Sequence, residues 1–163
     1  QTVEGPKGNA DLYDTLMRKV NAAIENEKIA TVAFIWMQGE RDAAESLGEV
    51  YEKSLTGLYH QLSLDMDRKD VFFVIGRLSD FDRLSEKYPH WEMIRDIQVK
   101  VAAANPLFEW TNTDDLNAGL NKDGKEIKDD LHMSVEGYLI LGKRFADKSI
   151  QLINKHKGNN AFG

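Results

Sequence analysis

Residues 29–36 read I-A-T-V-A-F-I-W, a near-continuous apolar run rich in β-branched side chains. Its length fits a strand, and with no polar alternation the strand is expected to be buried on both faces, as in a parallel sheet. A second run of the same kind, V-F-F-V-I-G, occupies 71–76. Between them, Leu47, Tyr51, Leu55, Leu58 and Leu62 recur at helical spacing, which predicts a helix from Ala43 to about Leu64.

The alternation continues outward from this strand–helix–strand unit. Leu12, Leu16, Val20 and Ile24 stand at steps of four and predict a helix over Asp11–Glu25, with Asp11 near its start. Trp91–Ala104 reads as a helix with Ile94, Ile97, Val101 and Ala104 on one face, stopped by Asn105-Pro106. Leu107–Thr113 is a third, weaker strand. The polar stretch T-D-D-L-N-A-G-L-N-K-D-G-K-E-I-K-D-D follows over 113–130, and its Asp123-Gly124 signals a tight turn. The last helix is expected from Ser134 to about Asn154, with Val135, Tyr138, Gly142, Phe145, Ile150 and Ile153 facing a core and a frayed tail after His156.

Strands joined by helices imply crossover connections and a parallel sheet with helices on both faces, so the fold class is α/β. One domain over 1–163 is expected, with a polar leader over 1–10 and a tail over 156–163. At 163 residues, 42% hydrophobic and 29% charged, the chain is long enough to bury a core without disulfides or metals. It has no cysteine, which excludes a disulfide framework or a thiolate zinc site. The net charge of −6, with basic residues scattered among acidic ones, argues against nucleic acid or an anionic membrane as the main partner. No apolar run reaches the roughly 18 residues of a membrane span.

In open sheets of this class, sites lie at the carboxyl ends of the strands. Attention therefore falls just after Trp36, Gly76 and Thr113. The first position carries W-M-Q-G-E-R-D-A, residues 36–43. There the Gln38 amide could stabilise a developing oxyanion, Gly39 allows a sharp turn or a close approach, and Asp42 could cap the following helix. The bland alternative is a strand-to-helix turn without chemistry.

The second candidate is D-D-L-H-M-S-V-E-G-Y, residues 129–138. Asp129 stands three residues before His132, within loop reach of Nδ1, an arrangement that leaves Nε2 to take a proton. Asp130 competes as partner, although at two residues' distance it would more often point away. The alternative here is a polar loop whose Ser134 caps a helix. His60, His90 and His156 lie in a helix, before a helix and in the tail. Asp115, Asn117, Gly119 and Glu126 match positions of a calcium loop, but Leu120 stands where the turn requires glycine.

The two blocks together resemble the SGNH hydrolases, in the sialate O-acetylesterase-like branch that includes carbohydrate esterase family six. The block W-x-Q-G-E-S-D-A of that branch is W-M-Q-G-E-R-D-A here, with Arg41 in place of serine. The block D-x-x-H-x-x-x-x-G is D-D-L-H-M-S-V-E-G, followed by Y-L-I-L-G-K-R-F-A, and I-R-D-I-Q at 94–98 fits the R-x-x-Q position. The resemblance runs from Leu12 to Ala146. It implies a three-layer αβα sandwich with a flavodoxin-like sheet, and serine esterase activity that removes O-acetyl groups from an acetylated carbohydrate. His132 would be the general base and Asp129 its orienting carboxylate. Gln38 would act as an oxyanion or substrate-positioning group, with Gly39 and Glu40 shaping its loop. No metal or organic cofactor is implied, and a secreted or periplasmic location is.

The resemblance also implies a nucleophilic serine in a G-Q-S or G-D-S block after an earlier strand, and neither that block nor the family's oxyanion glycine block occurs here. Ser79, after the second strand, lacks a glycine-flanked turn, and Ser134 reads as a helix cap. In a 2-1-3-4-5 strand order the absent strand would lie beside I-A-T-V-A-F-I-W, whose apolar edge would otherwise be an aggregation hazard. The chain is therefore expected to be the C-terminal part of a larger hydrolase domain. An upstream segment, on the same or a separate chain, would supply the first strands and the nucleophile. Two alternatives stand beside the acetylesterase: a non-catalytic carbohydrate-binding or scaffold remnant of the fold, and an esterase acting on lipid or other esters.

Overall fold

The computed structural model describes residues 12–81, 83 and 86–160. The expected leader over 1–10, the helix start at Asp11 and the last residues 161–163 lie outside them. The chain divides into two compact units, the first ending at Thr31 and the second beginning at Val32. Within the first unit, α1 runs over Leu12–Ile24, as the four-residue spacing predicts.

The second unit is a three-layer α/β sandwich. Its sheet contains β1 (Val32–Trp36), β2 (Val71–Gly76) and β3 (Phe108–Thr111), all parallel and in the order β1-β2-β3. Side chains alternate across a strand, so neighbours in register share a face. On one face Phe34, Phe73 and Phe108 are register partners. They form an aromatic row, with ring centroids 5.3 Å apart for Phe34–Phe73 and 5.1 Å for Phe73–Phe108. Tyr59 of α3 (Gly48–Asp65) lies on this row, 4.5 Å from Phe108, and its hydroxyl donates to the Val71 carbonyl at 3.0 Å. Burying each such ring stabilises the fold by about 1.5–3 kcal/mol. On the opposite face Phe72 and Val74 pack with Leu141, Phe145 and Leu152 of α5 (Val135–Asn160).

β2 matches its expected bounds and is buried at every position, because it is central and covered on both faces. β1 departs from expectation. It starts at Val32 rather than Ile29, and it is not buried on both faces: Ala33 is exposed and Ile35 is 40% exposed. The register puts these two beside Phe72 and Val74, on the side where α5 covers β2 and β3. β1 is the edge of the sheet, and among the described residues no strand pairs with its outer side.

The single helix expected over 43–64 is two. α2 (Glu40–Ala44) ends and α3 begins four residues later, the chain reversing at Ser46, which has a positive φ of 57°. α4 (Trp91–Ala103) ends near Asn105-Pro106 as expected. The polar stretch holds a small antiparallel hairpin of β4 (Gly119–Leu120) and β5 (Glu126–Ile127), turning at Gly124 with φ 74°. The calcium-like pattern thus belongs to a hairpin. The expected tail after His156 is helical, since α5 continues to Asn160, and the His156 ring lies edge-on to Phe72 at 5.7 Å.

Candidate functional site

The carboxyl ends of the three strands feed three loops, and α4 fastens all of them. Trp91, Arg95 and Gln98 are spaced to fall on one helix face, and all three are buried. Their polar ends meet the segment after β2. The Trp91 indole donates to the Ser79 carbonyl at 2.7 Å, Arg95 Nη1 donates to the Leu78 carbonyl, and Gln98 Oε1 accepts from the Leu78 amide at 2.8 Å. Arg95 also meets Asp114, beyond β3, at 2.9 Å, and Arg77 meets the same carboxylate at 2.6 Å.

The segment after β1 is held from the same helix. The Gln38 carbonyl accepts from the Tyr51 hydroxyl at 2.8 Å and from Gln98 Nε2 at 3.0 Å. Trp36 Nε1 donates to the Tyr51 hydroxyl at 3.2 Å, and burial pushes that phenol up to about 12. Gly39 has a positive φ of 151°, and a Cβ there would stand 3.0 Å from Ile94 and 3.3 Å from both Leu78 and the Tyr51 hydroxyl. Both the backbone and the space therefore call for glycine. Its N–H donates to the Glu40 carboxylate at 2.9 Å.

Asp42 does not cap the helix, because α2 already begins at Glu40; instead its carboxylate accepts from the Gln38 side-chain amide at 3.0 Å. That bond engages one of the two Gln38 amide protons. Arg41 turns outward and pairs with Glu45 at 2.8 Å. A cavity of about 230 Å³ opens beside this loop, lined by Trp36, Tyr51, Leu55 and Leu58 with the polar side chains of Gln38 and Asp42. A larger cavity, about 640 Å³, lies around Tyr59, Ser63 and Arg68 and includes His60 but neither Gln38 nor His132.

His132 sits in a loop anchored on both sides. Upstream, the Asp130 N–H donates to the Asn117 carbonyl at 3.3 Å; downstream, the Ser134 N–H donates to the Leu116 carbonyl at 3.0 Å. Met133 turns into the α5 core, leaving its neighbour His132 outward and 75% exposed. Ser134 caps α5 as expected, its hydroxyl accepting from the Gly137 N–H at 3.0 Å. Gly137 explains the glycine of the D-x-x-H-x-x-x-x-G block. A Cβ there would collide with the Leu116 carbonyl oxygen, so glycine is what lets the helix start come down onto that carbonyl.

The carboxylate within 4 Å of the His132 ring is that of Asp130. Asp130 Oδ1 stands 3.7 Å from Nδ1 and accepts the His132 N–H at 2.9 Å. This local Asx turn draws the side chain of Asp130 forward. Asp129 has a positive φ of 49° and makes no hydrogen bond or ion pair with the imidazole. Gln38 and His132 do not touch each other. Their loops are tied instead to one segment: Gln38 through Gln98 to Leu78, and His132 through the Asn117 side chain, which donates to Asp80 at 3.4 Å.

The remaining candidates serve the scaffold. Ser79 is buried, and its hydroxyl accepts from the Phe81 N–H at 3.4 Å. His90 Nδ1 accepts from the Gly48 N–H at 3.0 Å, and His60 lies against the Tyr59 ring. The apolar spacing of α4 does not reveal that Arg95 and Gln98, which fill the R-x-x-Q position, are buried ties. The signal that could have found them was their helical spacing from Trp91.

A family model described as carbohydrate esterase, sialic acid-specific acetylesterase, matches residues 4–151. No curated protein matches the sequence significantly.

Proposed function

Given that the chain belongs to the carbohydrate esterase family of sialic acid-specific acetylesterases, we propose that it forms the base and oxyanion side of a serine esterase that removes O-acetyl groups from a carbohydrate. The nucleophilic serine comes from an upstream segment of the same domain. The outer side of β1, which pairs with no strand among the described residues, and the exposed Ala33 and Ile35 support this, since a further strand and helix would bury them.

In this reading the serine Oγ attacks the acetyl carbonyl while His132 Nε2 accepts its proton. The tetrahedral oxyanion is met by the Gln38 amide. Collapse of the intermediate expels the sugar oxygen, which takes the proton back from His132, and leaves an acetyl ester on serine. Water, deprotonated by His132, then attacks that ester and releases acetate and the free serine. Asp129 holds the orienting position in the motif, while Asp130 is the carboxylate nearer the ring in this structure. No step calls for a metal or an organic cofactor.

The observation that carries the reading is the common anchoring of the Gln38 and His132 loops on residues 78–80 at the carboxyl edge of the sheet. Acetate release from an O-acetylated sugar and from p-nitrophenyl acetate by the full protein tests it. His132→Ala is expected to lower kcat by several orders of magnitude; unchanged turnover would sink the assignment. Asp129→Asn is expected to lower kcat strongly. Full activity in Asp129→Asn together with loss in Asp130→Asn would transfer the orienting role to Asp130, the carboxylate nearer the ring.

A further inference from the structure

We propose that Gln98 is the positioning residue that aims Gln38. The inference rests on Gln38 being the donor to the reacting oxygen.

Gln98 is fully buried, and its planar amide is engaged on both sides. Oε1 accepts from the Leu78 N–H at 2.8 Å, while Nε2 donates to the Gln38 carbonyl at 3.0 Å and to the Tyr51 hydroxyl at 3.1 Å. An acceptor must face the Leu78 amide and a donor must face the Gln38 carbonyl, so one group has to be both. Among side chains of this length only glutamine satisfies that. A carboxylate would set a lone pair against the Gln38 carbonyl, methionine would leave three buried polar groups without this partner, and asparagine would fall a methylene short.

The consequence falls on the direction of the Gln38 side chain. Gln98 and Tyr51 together fix the Gln38 carbonyl, and Glu40 fixes the following N–H, so the peptide plane after Gln38 is held on both edges. With the backbone clamped and Asp42 engaging one amide proton, the second amide proton is presented in one orientation. A donor aimed in advance at a developing oxyanion stabilises the transition state without reorganising during the reaction. Gln98 touches neither substrate nor reacting atoms in this account; it acts through Gln38. It also joins the loops after β1 and β2, so the spacing between the donor and the rest of the carboxyl edge depends on it.

The test uses the full protein. Gln98→Met and Gln98→Glu are measured with p-nitrophenyl acetate, alone and combined with Gln38→Ala, and Leu78 amide hydrogen exchange is followed in parallel. Gln98→Met is expected to lower kcat by roughly 10–100-fold with KM little changed. In the Gln38→Ala background the same substitution is expected to cost at most a few-fold. Leu78 exchange should accelerate in Gln98→Met while exchange at the central β2 amides stays slow. Gln98→Glu keeps the Leu78 bond, so it should retain slow Leu78 exchange but lose kcat.

If Gln98→Met folds poorly, Tyr51→Phe removes the other donor to the Gln38 carbonyl and should show a smaller loss with the same dependence on Gln38. An equal loss in both backgrounds would mean a merely structural role and overturn the proposal. Unchanged Leu78 exchange would overturn the geometry behind it, whatever the esterase assay shows. Full activity of Gln38→Ala by itself would remove Gln38 from the mechanism, and the inference with it.

Discussion

One helix offers a matched pair of glycines on which identical substitutions should have opposite signs. Gly137 and Gly142 both lie in α5. A Cβ on Gly142 would meet nothing within 4 Å, whereas a Cβ on Gly137 would collide with the Leu116 carbonyl oxygen and stand 3.0 Å from its carbon and 3.1 Å from Ser134 Oγ. In Gly142→Ala the only effects are the reduced freedom of the unfolded chain and the better helix propensity, a gain of about 0.5–1 kcal/mol.

In Gly137→Ala the helix start must lift off a backbone group that cannot rotate aside. The buried bond from the Ser134 N–H to the Leu116 carbonyl is then lost, at about 1–3 kcal/mol. The Ser134 cap on the Gly137 N–H is disturbed, at about 1 kcal/mol. Against this stands a propensity gain of up to about 1 kcal/mol, leaving a net cost of roughly 1–3 kcal/mol. The two variants should therefore differ by about 2–4 kcal/mol in urea unfolding, or roughly 4–15 °C in Tm. Because the same anchor positions His132, esterase rate should fall in Gly137→Ala and hold in Gly142→Ala. A Gly137→Ala protein as stable and as active as Gly142→Ala would refute the close approach at Leu116 as the reason for the glycine.

Other outcomes follow from the ties around the sheet. Asp114→Ala leaves Arg95, only 5% exposed, with just the longer Glu92 contact at 3.4 Å; the cost should be about 2–3 kcal/mol in chemical denaturation, below the ~3–5 kcal/mol of a fully buried pair because Asp114 is 27% exposed and Glu92 remains. The Tyr51 phenol, pushed up to about 12 by burial, is raised above its unfolded value near 10. Its contribution to stability is thus complete below about pH 10 and lost as pH rises towards 12. Phenolate absorbance should show a late-titrating group that disappears in Tyr51→Phe. Ile35→Lys should cost about 2 kcal/mol in the full protein, although the residue is 40% exposed here, because the proposed upstream segment would cover it; a neutral result in thermal unfolding would count against that segment.

Local pattern determined much of this molecule, because strand and helix periodicities are short-range properties of the chain. V-F-F-V-I-G gave its strand to the residue, since a central strand covered on both faces must be apolar throughout. The helix over 91–103, the cap at Ser134 and the place of W-M-Q-G-E-R-D-A at the end of the first strand were equally readable. What the pattern could not reveal depends on neighbours distant in sequence. I-A-T-V-A-F-I-W is as apolar as β2, yet Ala33 and Ile35 are exposed because β1 is an edge and α5 covers β2 and β3 instead. Whether Asp129 or Asp130 faces His132 turned on a left-handed backbone at Asp129 and an Asx turn, which loop spacing alone does not encode. The apolar spacing of α4 does not tell whether Arg95 and Gln98, at the R-x-x-Q position, lie inside or in solvent. Only the packed structure makes them its buried ties, because polar groups go inside when other loops bring them partners of the right sense.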